Sequence, residues 1–211
     1  METKKLALIG LFVALMAVSA HLRIDLGFMP LTFQTGVAAL AAMLLTPRQA
    51  FTAMAAYLAL GLAGAPVFAM GGGIGYALSP TFGYLLGFLF GAPMGAQYLN
   101  RVIPEEFAQM RPKGLRARLS ASDTDEPGIA PISSPNRFSL GQCILAGLVV
   151  VMCVFVCGVL YSWFYYRHIA GTPEPFGNLM TTTMAFLWIK DSVLVVVVAG
   201  IATQLRKHLS L

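Results

Sequence analysis

Lys190 and Asp191 stand side by side in an otherwise apolar segment, between Phe186-Leu-Trp-Ile189 and Ser192 followed by a run of valine and leucine. Each such charge costs about 2.5–3.5 kcal/mol near the centre of a membrane helix on insertion scales, so residues of this kind face a bundle interior and carry function. Successive helical residues point about 100° apart. The two side chains are therefore expected not to pair with each other, each needing its own partner. An aspartate there can accept N–H groups from a polar ligand, and a lysine can meet a carboxylate or carbonyl oxygen. The competing structural roles are a Lys190 that snorkels outward and an Asp191 bound to a Ser or Tyr of a neighbouring helix. We favour the ligand roles. Gln34, Tyr76 and Tyr84 are among the few other polar residues in or beside apolar segments and join the candidate pocket, with an aromatic belt as the alternative for the tyrosines.

Other chemistry is excluded by what the chain lacks. His21, His168 and His208 stand alone, with no spacing that makes a metal site. No phosphate-loop, nucleophile-elbow or zinc-protease pattern occurs. Gly71-Gly72-Gly73 with Gly75 is followed by no lysine and preceded by no strand. The expectation is a protein that is not an enzyme, with no cofactor and no metal.

The elements that must hold the pair follow from composition. Of the 211 residues, 57% are hydrophobic and 11% charged, with a mean hydropathy of +0.74, against about 25% charged in soluble domains. The apolar runs are continuous and not alternating, which predicts helices and not a barrel. The reading is an all-α integral membrane protein, a single transmembrane domain over residues 1–211. Its six-helix bundle has helices near residues 5–21, 34–46, 48–63, 81–100, 138–162 and 179–206. The first apolar run also resembles a signal peptide ending at Val18-Ser19-Ala20, but Ala7, Gly10, Ala14 and Ala17 recur at helical steps and make a smooth face for helix contact.

Gly61 to Gly83 is apolar and uncharged yet holds seven glycines and two prolines, so it cannot be one regular helix. Lipid cannot satisfy irregular backbone, so this outer loop must be buried by protein or line a cavity. His21 to Gln34, carrying Leu26, Phe28, Met29, Leu31 and Phe33, is expected to fold back as a cap or to anchor at the interface. Gly83, Gly87, Gly91 and Gly95 recur every fourth residue, the signature of a closely packed helix. Residues 101–137 read as a flexible cytoplasmic loop. Cys143, Cys153 and Cys157 share one apolar run and read as buried thiols.

With both termini on one side, eleven Lys and Arg residues lie there against Arg23 and Arg167 on the other. That bias predicts cytoplasmic termini in the cell membrane and places both outer loops and the glycine-rich stretch on the far face. The net charge of +5 is explained by this topology and not by nucleic acid.

Met29-Pro-Leu-Thr-Phe-Gln-Thr35, Leu44-Leu-Thr-Pro-Arg48, Gly61-Leu-Ala-Gly-Ala-Pro-Val-Phe-Ala-Met-Gly-Gly-Gly-Ile-Gly75 and Ser79-Pro-Thr-Phe-Gly-Tyr-Leu-Leu-Gly-Phe88 together resemble the BioY family. These are biotin-binding S components of energy-coupling factor (ECF) transporters. The resemblance is dense from residue 6 to about residue 99. It implies a biotin site near the outer face and, in many members, partners in the form of a transmembrane coupling subunit and ATPase subunits. It also implies that Ala7, Gly10 and Ala14 form the surface that docks the coupling subunit. The family's last helix carries an Asp followed three residues later by a Lys; Asp191 matches the former, but Leu194 stands in the latter place and the lysine is at 190.

Biotin offers two ureido N–H donors, one ureido acceptor and a carboxylate. The expected pocket sets Asp191 against the donors, walls of Phe33, Phe68 and Trp188 around the rings, and backbone amides of Gly71, Gly72 and Gly73 near oxygens. The alternatives are an S component for another vitamin and a membrane scaffold that transports nothing.

Overall fold

The computed structural model describes residues 2–25, 30–110, 139–171 and 184–209. Six α-helices make up nearly all of it: α1 (Glu2–His21), α2 (Gln34–Leu44), α3 (Pro47–Leu62), α4 (Phe82–Met110), α5 (Leu140–His168) and α6 (Met184–Leu209). Among the described residues, three helical segments are long and apolar enough to cross a membrane: Thr3–His21, Leu140–His168 and Leu187–Leu205. The fold is a multi-pass helical membrane bundle.

Helix boundaries follow local chemistry. Thr46 caps α3 by a reciprocal exchange in which the Gln49 amide donates to the Thr46 hydroxyl and the Thr46 amide donates to Gln49 Oε1, with Pro47 at the first helical position. Ser139 and Gln142 form the same box at the start of α5, which accounts for a glutamine beside an apolar run. Two helices outrun their expected ends. α4 continues to Met110, because Glu105, Glu106, Ala108, Gln109 and Met110 are good helix formers in water as well. Leaving lipid ends a membrane span without ending the helix. The expected loop 101–137 thus begins as helix, and the part from residue 111 onward lies outside the described residues. α5 runs to His168, past the expected 162, and the expected start of α6 at residue 179 also lies outside them.

The tightest interface joins α4 to α5, and the glycines spaced by four make it. A Cβ on Gly83 would run into Tyr161 and the Cys157 carbonyl, on Gly87 into the Val154 backbone, and on Gly91 to 3.1 Å from Cys153 Cβ and the Val150 carbonyl. Close backbone approach of this kind drives helix association in lipid. Around it, Phe12 and Met16 of α1, Met54 and Tyr57 of α3, and Leu85 and Phe88 of α4 form one buried cluster. A second cluster gathers Met43 of α2, Cys143 and Phe155 of α5, and Leu187 and Val195 of α6.

Two features complete the outer end. The segment between α1 and α2 is a small antiparallel hairpin, β1 (Arg23–Asp25) paired with β2 (Pro30–Thr32), with Arg23 opposite Thr32. The residues between these strands are not described. The glycine-rich segment after α3 folds on itself. Phe68 and Gly71 bridge, Gly73 at φ 104° donates to the Gly61 carbonyl at 2.7 Å, and Ile74–Leu78 makes a 3-10 turn. Three of its carbonyls accept from side chains. Tyr57 donates to Val67, Tyr161 to Ala77, and Ser162 to Pro80 at 2.9 Å.

Gly87→Val would force α4 away from α5 and is expected to destabilise the bundle by about 1–3 kcal/mol. Gly10→Ala, on a face of α1 with nothing within 4 Å, should leave thermal unfolding in detergent unchanged.

Candidate functional site

Asp191 lies in the third described turn of α6 and is 3% exposed, beside the first turn of α2. Thr35, in that turn, donates to Asp191 Oδ2 at 3.3 Å, and a helix N-terminus favours a nearby carboxylate. Lys190 Nζ donates to the Thr32 carbonyl of β2 at 2.7 Å and lies 2.7 Å from Asp191 Oδ1. This corrects the expectation that the two do not pair. The lysine side chain is long enough to curl back across the 100° between adjacent positions. Oδ1 is buried, and its contact among the described residues is the Lys190 ammonium, an ion pair by distance. An ammonium has three donors, and Thr32 and Asp191 engage two of them.

The pair sits at the wall of a recess lined by α2, α4, α5 and α6. Thr32, Gln34, Thr35, Ala69, Tyr76, Thr81, Tyr84, Lys190 and Asp191 form its more polar part and rim. Leu85, Phe88, Val154, Phe155 and Leu187 line the apolar side. The polar members are themselves held. Gln34 Nε2 donates to Tyr57 at 2.8 Å, Thr81 donates to the Tyr76 hydroxyl at 3.3 Å, and Tyr84 is hydrogen-bonded to Ser162.

Of the residues expected from sequence, the recess brings together Asp191, Lys190, Gln34, Tyr76 and Tyr84. The others stand elsewhere. Phe33 is 41% exposed at the start of α2, outside the lining. Phe68 is fully buried between Tyr57 and Tyr76, at ring distances of 5.4 and 4.7 Å, and supports the recess from behind. Trp188 is directed away from the recess and packs on the back of Phe155 at 5.2 Å. Gly71 and Gly73 spend their N–H groups on Phe68 and Gly61, and none of Gly71, Gly72 and Gly73 lines the recess. Their role is the fold of the segment. The apolar wall from α4 and α5 was not singled out in the sequence, because Leu85, Phe88, Val154 and Phe155 repeat at helical spacing like any core residue. On α1, Ala7, Gly10 and Ala14 are exposed, while Phe12, Met16, Ser19 and Ala20 face inward.

The BioY family model matches this sequence over residues 1–211. The chain belongs to the BioY family. It is 44% identical over 101 residues to a probable biotin transporter BioY of Lysinibacillus sphaericus, covering 48% of this chain and 52% of the relative. It is 43% identical over 84 residues to the biotin transporter BioY of Thermotoga maritima, covering 39% and 50%. The chain spans about half the length of the curated relatives it matches. In three dimensions this BioY-family chain is similar to the S-component for biotin from an ECF-type ABC transporter, whose crystal structure was determined at 2.1 Å. The TM-score is 0.71 at 20% identity, covering 98% of this chain and 92% of the other. That likeness carries the fold.

Removing one member of a buried ion pair leaves the other uncompensated, at a cost of about 3 kcal/mol or more. Lys190→Met is therefore expected to lower the melting temperature in detergent more than the double substitution Lys190→Met with Asp191→Asn, which leaves no unpaired charge; equal losses would show that the pair is not coupled.

Proposed function

We propose that this protein captures biotin at the outer face of the cytoplasmic membrane and delivers it inward as the substrate-specific component of an ECF-type transporter. One observation carries the reading: a buried carboxylate, Asp191, with Lys190 and Thr35 against it, stands at the wall of a recess whose opposite side is apolar. A cyclic urea matches that chemistry. One ureido N–H donates to Oδ1, the remaining Lys190 donor meets the ureido oxygen or the tail carboxylate, and Leu85, Phe88, Val154 and Phe155 enclose the fused rings. Burying the ureido group without partners would cost roughly 2–7 kcal/mol, so a carboxylate retained in the membrane makes the recess selective for it. Family membership and the biotin-transporter relatives support the same ligand.

The placement of the recess agrees with the charge bias. α1, α3 and α5 run from the basic side to the recess side, and α2, α4 and α6 return. With eleven basic residues on the first side, the termini are cytoplasmic and the recess faces outward. Energy then comes from partners. The exposed Ala7, Gly10 and Ala14 of α1 are small, and with the exposed Leu11 and Val18 beside them they suit packing against a helix of the coupling subunit, with its ATPase subunits beneath.

Titration of the purified protein in detergent is expected to yield biotin binding that Asp191→Asn weakens by tenfold or more. Competition by desthiobiotin but not by thiamine or riboflavin fixes the ligand class; competition by either of the latter would transfer the site to another vitamin. Gly10→Leu should leave biotin binding intact and abolish copurification with the coupling subunit, whereas retained copurification would remove α1 as the docking face.

A further inference from the structure

Tyr57 is fully buried on α3 and does not line the recess, yet it touches the one amide side chain that does. We propose that Tyr57 is a positioning residue for ligand recognition: it fixes which end of the Gln34 amide faces the ligand, so that Gln34 presents its carbonyl oxygen. The inference rests on the biotin reading of the recess and names a second acceptor within it.

The argument is one of proton counting. A phenol has one proton and a backbone carbonyl has none. Tyr57 gives its proton to the Val67 carbonyl at 3.0 Å. Whatever else approaches the phenolic oxygen within hydrogen-bond distance must therefore donate, and Gln34 Nε2 lies 2.8 Å away. Turning the amide over would set Gln34 Oε1 against an oxygen with no proton left to give. Redirecting the phenolic proton to Oε1 would instead strip the Val67 carbonyl of its donor, and the ring itself is held in place. Phe68 packs edge-on against its ring at 78° and is itself tilted against Tyr76, while Val67 belongs to the folded glycine-rich segment. The amide orientation is thus decided outside the recess.

The consequence lies inside it. Gln34 and Thr35 are consecutive in the first turn of α2, and Thr35 donates to Asp191. The Gln34 carbonyl oxygen and Asp191 Oδ1 are then two acceptors brought to one recess from two helices. Two acceptors suit a ligand with two N–H donors, as in a cyclic urea, and repel a ligand that presents an acceptor or a methyl group in place of one of them.

The test is a double-substitution cycle read by ligand affinity, using biotin and biotin methylated at either ureido nitrogen as probes, with thermal unfolding in detergent as the control for folding. Tyr57→Phe deletes one oxygen and leaves the ring stack. It is expected to weaken biotin binding about tenfold and to narrow the preference for biotin over one of the methylated probes. In the Gln34→Leu background the same substitution should change affinity by less than twofold, because Tyr57 acts through Gln34. An equal loss in both backgrounds, or an unaltered preference among the probes, overturns the inference. Should Tyr57→Phe fail to fold, Gln34→Leu alone must narrow that preference, and an unchanged preference overturns the inference equally. Absence of biotin binding by the unsubstituted protein is a different result: it overturns the biotin reading and this inference with it.

Discussion

Two opposite charges held inside a membrane bundle are the constraint to which the rest of this structure answers. Neither Lys190 nor Asp191 can be left to lipid, and two adjacent residues on one helix cannot meet in ideal hydrogen-bond geometry. The structure resolves the conflict incompletely. Lys190 reaches the Thr32 carbonyl and the near side of Asp191, Thr35 satisfies the far side, and one carboxylate oxygen is left with an ion-pair contact alone. An unsatisfied acceptor in a low-dielectric site is destabilising without a donor and correspondingly selective for one.

Helix length sets where this can happen. α2 has 11 residues and α3 has 16, roughly 16 and 24 Å at 1.5 Å per residue, short of a bilayer core of about 30 Å. The outer part of the bundle is left to the hairpin and the glycine-rich segment. Irregular backbone at that depth must be satisfied by protein, and here Tyr57, Tyr161 and Ser162 donate to its carbonyls. The same hydroxyls that quiet this backbone also set the recess: Tyr57 through Gln34, and Ser162 through Tyr84.

The two sides of the molecule differ accordingly. α4 and α5 are joined backbone to backbone by the glycines at four-residue spacing and supply the apolar wall. α2, α6 and β2 supply most of the polar groups, with Tyr76, Thr81 and Tyr84 beside them. On the periphery, α1 buries Phe12 and Met16 and leaves Ala7, Gly10 and Ala14 exposed together with Leu6, Leu11 and Val18.

Sequence by itself determined the bundle and its working end. Continuous apolar runs, the distribution of Lys and Arg, the glycine repeat and a charged pair inside the last span are local or additive properties, and lipid enforces them strongly enough to be read in one dimension. Which aromatic ring faces the ligand was not legible. Phe33, Phe68, Trp188 and Phe155 are equally apolar, and only packing turned Phe155 into the recess, set Phe68 behind it, left Trp188 on the outside and exposed Phe33. Gly71 to Gly73 likewise read as ligand-facing amides, but a glycine retained for its backbone angles or for close contact looks the same in sequence as one retained for its N–H. The pairing of Lys190 with Asp191, the hairpin carbonyl that shares the lysine and the phenol that orients Gln34 each depend on groups brought together from distant parts of the chain. Hydrogen bonds are directional and short-ranged, so their partners were decided by the tertiary structure alone.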